Sequence, residues 1–465
     1  MNATLRETVA EVMVKQRAGQ FSLLNKLVQI GSETRSDQLM KASEKVAELL
    51  EALEFEVERH APDAARIEAQ HAYPMQNLVA RKQFGEGPVL AFVCHIDTVE
   101  AHPRWTFEPL GADIVDGRMY GLGAVSGKGD LAAQVYAVLS LMRIGAPLKG
   151  TIELHISFDG ESGGSLGAKW LLADEIVKPD MVIAGGPARA VATHSTGTMI
   201  LDVDVRGKTA PAHAPERGND ALEAATHALT RLYQFRGGLK AHASEMPGLG
   251  APTMVIEHIS GGEDTGVPEY VNFRLDRRIL PNEDPIQVER QLTNLIGSTI
   301  AKMPGTRCRI RRAALIPAMG NDDNATPLAA VLSKRLEEKL GERPGPRGMG
   351  YDHEGRHYAA AGIPTVMYGA APLDVAAAGL HGPDEHLVLD DLRLATEVLA
   401  LTAMDLLGRA KRGKTAPNLM TLTSEEFLPK DTARCCVEPA AAPFISSTAP
   451  QHGSLCHRCH ACPQV

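Results

Sequence analysis

Apolar positions along this chain recur with two different periods, and the period changes part-way. Between Ser43 and Leu53 they return at helical spacing (Val46, Leu49, Leu50, Leu53), which predicts amphipathic helix within residues 1–60. Pro88–Val99 (PVLAFVCHIDTV) is a short, nearly continuous apolar run that ends in polar residues. Such a run predicts a buried central strand that delivers side chains at its C-terminal end. Thr151–Glu161 and Asp180–Gly185 repeat the pattern, with helical patterns between them at Leu131–Ile144 and Leu166–Ile176. Strands alternating with helices predict an α/β sheet whose ligands gather at the strand C-terminal ends.

The pattern then becomes strictly alternating. Met199, Leu201, Val203 and Val205 fall on one face, and Ile200, Asp202 and Asp204 on the other. This predicts a half-buried antiparallel strand. A helix follows at about Pro215–Phe235, then strands at Thr253–Ile259 and Tyr270–Ile279. Strand, helix, strand, strand predicts a small α+β unit. The α/β pattern resumes with a strand at Pro364–Tyr368 and a helix from about Asp391 to Leu407, with Asp390 or Asp391 as its N-cap. The expected organisation is a catalytic domain in two parts, 1–190 and 312–410, with an inserted domain at 191–311. Beyond 411 the periodicity is lost and Pro, Ala, Ser and Thr dominate, so a disordered extension is expected.

Composition narrows the function classes. A length of 465 residues is about three times a typical single domain, which fits this division. The net charge of −9 argues against nucleic acid as the main partner. No apolar run is long enough for a membrane span, and the first residues lack a signal-peptide core, so a cytoplasmic location is expected. Of 7 cysteines, Cys94 and Cys308 stand apart, while Cys435, Cys436, Cys456, Cys459 and Cys462 crowd the C-terminal segment. The body is therefore no disulfide framework, and the tail spacing matches no standard zinc module.

Three strand-end segments carry candidate chemistry. His95-Ile-Asp97 places two side chains on one face of a strand, so Asp97 is expected to act in catalysis by orienting His95. Glu161 ends a second strand in DGESGG, and His381 lies in LHGPDEH after the last strand. A His, a Glu and a His from three strand ends form a candidate zinc set. The glycine-rich YGLGAVSGKGD lacks the spacing of a phosphate-binding loop, and Asp130 within it reads as a solvated helix-start acid or a stand-in ligand.

These segments, with VRGKTAPAHAPERGNDAL, LDRRILP and AGIPTVMYG, occur in an order that resembles the aminoacylase / acetylornithine deacetylase / succinyl-diaminopimelate desuccinylase metallopeptidase family over about residues 15–410. The resemblance implies a three-layer zinc-exopeptidase-like catalytic domain with an inserted dimerisation domain. It also implies a two-zinc centre, a homodimer, and hydrolysis of an N-acyl amino acid or short peptide. His95, Glu161 and His381 would ligate metal, and Arg278 would hold a substrate carboxylate.

The departures fall on the chemistry. Ser126 stands where the resemblance implies the bridging aspartate, Gly160 where it implies the catalytic glutamate, and Gly186 where it implies another acidic ligand. Pro211 stands where a dimer-domain histidine is implied, with His213 two residues on, and Gly266 lies near an expected asparagine. A bridging carboxylate lets two divalent ions sit about 3.5–4 Å apart, and a neutral serine does not replace it. Three readings follow: a metal-dependent amide hydrolase, an impaired homologue that acts by binding, and a hydrolase with one metal held jointly by His95, Glu161 and His381. Zinc content is accordingly expected to be two, none or one. Restoring Ser126→Asp and Gly160→Glu together is expected to separate the readings.

Overall fold

A computed structural model describes residues 3–408, except 35, 263, 264, 321–324 and 352. The expected disordered tail, with its five cysteines, lies outside the described residues. The first part of the chain runs α1 (Ala3–Val28), α2 (Leu39–Glu51), β1 (Glu56–His60), α3 (Ala64–Ala69), β2 (Asn77–Gln83), β3 (Val89–His95), β4 (Asp113–Val115), β5 (Arg118–Tyr120), α4 (Lys128–Arg143), β6 (Thr151–Ser157), α5 (Ala168–Ala173), β7 (Met181–Ala184) and β8 (Ala192–Ser195). The middle comprises β9 (Gly197–Arg206), α6 (Ala221–Gly238), β10 (Met254–Gly261), β11 (Tyr270–Ile279), α7 (Pro285–Ile300) and β12 (Arg307–Ile316). The last part adds α8 (Thr326–Leu340), β13 (Arg347–Met349), α9 (Gly355–Ala360), β14 (Thr365–Met367), β15 (His386–Val388) and α10 (Leu389–Leu407).

The large sheet is mixed, in the order β1-β2-β6-β3-β7-β14-β8-β13. Its centre is parallel: β3 pairs with β6 on one side and β7 on the other. Both faces of this centre are covered, which is why its strands read as continuous apolar runs. Phe92, Cys94, Leu154 and Ile156 join the core beneath α1, α4, α8 and α10, while Ala91, Val93 and Val182 pack with residues of α5 and α9 on the other face. The three-layer α/β expectation matches this arrangement.

The second sheet is antiparallel, in the order β10-β11-β9-β12. Met199, Leu201, Val203 and Val205 are buried together with Val271, Phe273 and Leu275 against α6 and α7, as the alternation requires. β8, expected inside the insert, pairs in the large sheet, and β12 continues to Ile316, past the expected boundary at 311.

Two helix starts differ from expectation. Pro215–Arg217 forms a separate 3₁₀ turn, and Asp220 caps α6 by accepting from the Leu222 and Glu223 amides at 2.8 and 2.9 Å. At α10 the N-cap is Val388, and both expected caps lie inside the first turn. Asp391 is committed to Arg189 Nε at 2.8 Å and Asp390 to Arg393, so neither reaches the helix-end amides.

Candidate functional site

The register His95 opposite Ser157 brings the ends of β3 and β6 level. Asp97, just past the end of β3, is buried and heavily bonded. Its carboxylate accepts from Gly160 N (2.8 Å), Glu161 N (3.0 Å) and Thr34 Oγ1 (2.9 Å). It also faces His95, whose Nδ1 lies 3.3 Å from Asp97 Oδ1 and 3.0 Å from the Asp97 carbonyl oxygen. Asp97 therefore fixes the ring of His95 and the loop that carries Glu161. The other ring nitrogen, Nε2, lies 3.1 Å from Ser126 Oγ. Burial pulls the His95 pKa down, but the Asp97 hydrogen bond and the charges of Asp97, Glu161 and Glu354 outweigh it and raise it well above its ordinary value.

Glu161 and His381 meet separately, with Oε1 to Nε2 at 3.1 Å, and this contact raises the His381 pKa. The His381 side chain is 48% exposed and its backbone is left-handed, with φ 59°. Positive φ in a non-glycine residue is concentrated at functional positions. Arg278, on β11 of the second sheet, pairs with Asp276 Oδ2 at 3.0 Å.

Behind these groups lies a buried scaffold. Lys128, the first residue of α4, is fully buried and donates to the Ile30 carbonyl at 2.9 Å and toward that of Val28 at 3.4 Å. Burial lowers its pKa to about 8. Glu385 accepts from Val125 N at 2.9 Å, and burial pushes it up to about 7. The lysine of the glycine-rich segment thus ties the end of α1 to the start of α4. Asp130 is not the solvated helix-start acid its position suggests. It is 2% exposed, accepts from Ala370 N at 2.8 Å, and is pushed up to about 6 by burial.

Two participants went unread in the sequence. His353 brings its ring centroid to 6.3 Å from that of His95, and Glu354 accepts a hydrogen bond from Ser157 Oγ. Burial raises the Glu354 pKa. The GYDHEGRHY segment sits outside the expected strand ends, so its one available signal was an acid beside a histidine. A narrow pocket next to Ser126 is lined by Tyr351, His353, Asp130, Val375 and Leu380.

These residues do not fit a two-metal centre. Among the described residues, no group of three or more His, Cys, Asp or Glu side chains is arranged to hold a metal ion. A Cβ on Gly160 would lie 2.4 Å from His95 Cγ and 2.5 Å from its Cβ, so the imidazole fills the space a glutamate stem there would need. A Cβ on Gly186 would meet the backbone of Met367 and Tyr368 at 2.9 Å. Asp130 accepts from backbone amides of Ala370, Gly127 and Gly186, so its carboxylate is already committed to main chain.

Comparison with known proteins now places the scaffold. Residues 91–405 match the model of peptidase family M20/M25/M40. The chain belongs to this family. A probable succinyl-diaminopimelate desuccinylase of Staphylococcus epidermidis is 34% identical over 189 residues, which is 39% of this chain and 45% of that relative, so the match spans less than half of the relative. An acetylornithine deacetylase of Myxococcus xanthus is 28% identical over 361 residues, covering 76% of this chain and 88% of that protein. Human carnosine dipeptidase 1 superposes with a TM-score of 0.69 at 15% identity, over 86% of this chain and 98% of the other. A Bacillus subtilis M20 peptidase described as dinuclear metal binding gives 0.58 at 16% identity, over 84% and 98%. These structural likenesses establish the shared M20 fold. No helix among the described residues is long and apolar enough to cross a membrane.

Proposed function

We propose that this M20 metallo-hydrolase homologue engages N-acylated amino acids or short peptides in the strand-end cleft without running a paired-metal hydrolysis. One observation carries the reading: the His95 ring occupies the space next to Gly160 where a glutamate base would stand. Glycine offers no proton acceptor, and losing a general base typically costs ~10²–10⁴ in rate. Ser126 contributes a hydrogen bond to His95 where a bridging carboxylate would be needed.

His381 and Glu161 form a half-exposed polar pair at the cleft edge, and Arg278 supplies a guanidinium that a ligand carboxylate can share with Asp276. The second sheet, with Val255 and Ile259 exposed on its edge strand β10, serves in this reading to pair two copies of the chain. The single-metal reading draws on the meeting of Glu161 with His381, two donors already side by side.

Calorimetric titration of N-acetyl amino acids and dipeptides, with and without excess chelator, tests the proposal. Saturable binding that chelator leaves unchanged is expected. Binding or turnover that requires added zinc contradicts it.

A further inference from the structure

The contact between Ser126 and His95 has a second partner behind it. Ser126 Oγ lies 3.1 Å from His95 Nε2, and His95 Nδ1 lies 3.3 Å from Asp97 Oδ1. His95 Nδ1 hydrogen-bonds the Asp97 main-chain oxygen at 3.0 Å with the Asp97 carboxylate just beyond, so a hydroxyl, an imidazole and an acidic residue follow in the order of an activated nucleophile, the carboxylate acting mainly through its charge. We propose that Ser126, His95 and Asp97 form a metal-independent nucleophilic site for short acyl groups. This rests on the reading that the cleft works without paired metals.

Three further observations point the same way. From Gly121 to Asp130 every residue is buried except Ser126, which is half-buried and lines the narrow pocket. Ser126 immediately precedes Gly127, the N-cap of the 16-residue α4, so the positive end of a long helix dipole lies beside the reacting oxygen. The pocket wall is part apolar, with Val125, Ala371, Val375 and Leu380, and it is too narrow for a large side chain. Its free space is small, which confines the proposal to the smallest acyl groups, formyl or acetyl.

The step balances without a co-reactant other than water. Once His95 is deprotonated, which its raised pKa places on the alkaline side, Ser126 Oγ attacks the acyl carbonyl carbon while its proton passes to His95 Nε2. The bond from that carbon to the leaving amine or alcohol breaks, and the leaving group takes the proton from His95. Water then attacks the acyl-serine, its proton returning through His95 to Ser126 Oγ, and the carboxylic acid departs. Asp97 is a positioning residue here: it fixes the ring and stabilises its charged form.

The full-length chain is incubated with a short-chain alkyl fluorophosphonate at alkaline pH in excess EDTA. The adduct is mapped by peptide mass spectrometry, and zinc is measured in the same sample. A phosphonyl adduct on Ser126 is expected, lost in Ser126→Ala and slowed at least about 10²-fold in His95→Gln. Because wild-type protein gives the primary readout, a variant that fails to fold does not decide the outcome. An unlabelled Ser126 in folded wild-type chain, or labelling at Ser126 that a folded His95→Gln variant leaves unchanged, overturns the proposal. An unlabelled, zinc-free chain defeats the nucleophile alone, whereas two zinc ions per chain before EDTA treatment defeat the underlying reading as well.

Discussion

Two sets of residues at the strand ends are held differently. In one set Asp97, Lys128 and Glu385 are buried, and each is bonded to backbone: Asp97 to two amides, Lys128 to two carbonyls, Glu385 to the Val125 amide. In the other set Ser126, Gly160 and Gly186 stand where the family resemblance implies acidic groups, and the side chains of Glu161 and His381 bond to each other. Residues that hold the chain's own backbone are present, whereas of the groups the resemblance implies at a metal only His95, Glu161 and His381 remain. Physically, a buried group with backbone partners is required for folding itself. A carboxylate pointing at an ion contributes only when the ion is there, and without it like charges would crowd a buried space.

Substitutions can break that contrast. The largest effect is expected at Lys128. Lys128→Ala leaves the Ile30 and Val28 carbonyls without this donor and opens a cavity beside Glu385, and it should cost about 3 kcal/mol or more in urea unfolding. Glu385 gives a pH signature within the same set. Its pKa rises from the ordinary 4.5 to about 7 on folding, so between those values the folded chain holds a proton that the unfolded chain releases. Stability should fall as pH rises from 4.5 to 7 and level off above it, and Glu385→Gln should flatten that part of the profile. Thermal unfolding across this range checks both.

Within the altered set, Gly160→Ala should cost about 1–3 kcal/mol by pressing a methyl group into the His95 ring. For the same reason Ser126→Asp combined with Gly160→Glu should not restore a two-metal site, because the glutamate stem displaces a ligand that the site needs. The smallest effect is expected at His381→Ala: its half-exposed pair with Glu161 should contribute less than about 1 kcal/mol to stability. A large loss there would mean that this set is structural too.

The fold was legible where one periodicity held over a whole element. The runs at Val89–His95 and Thr151–Ser157, and the alternation from Met199 to Val205, are direct consequences of two-sided and one-sided burial. Local signals failed where a distant residue claimed the side chain. Asp391 looks like a helix cap until Arg189 takes it, and Asp130 looks solvated until the Ala370 amide closes over it. Glu354 meets Ser157 across 197 positions, a contact that no spacing rule reveals. The missing acids were visible as substitutions. That the His95 ring fills the space beside Gly160 was not, because close approach is a property of packing.

We propose that the family's paired-metal centre is lost in this chain while the scaffold stands. Anomalous diffraction at the zinc edge, from crystals of the full-length chain grown with zinc and without chelator, tests this at the site itself. No pair of anomalous peaks is expected between His95 and the Glu161–His381 contact. Two peaks there, about 3.5–4 Å apart, would contradict it.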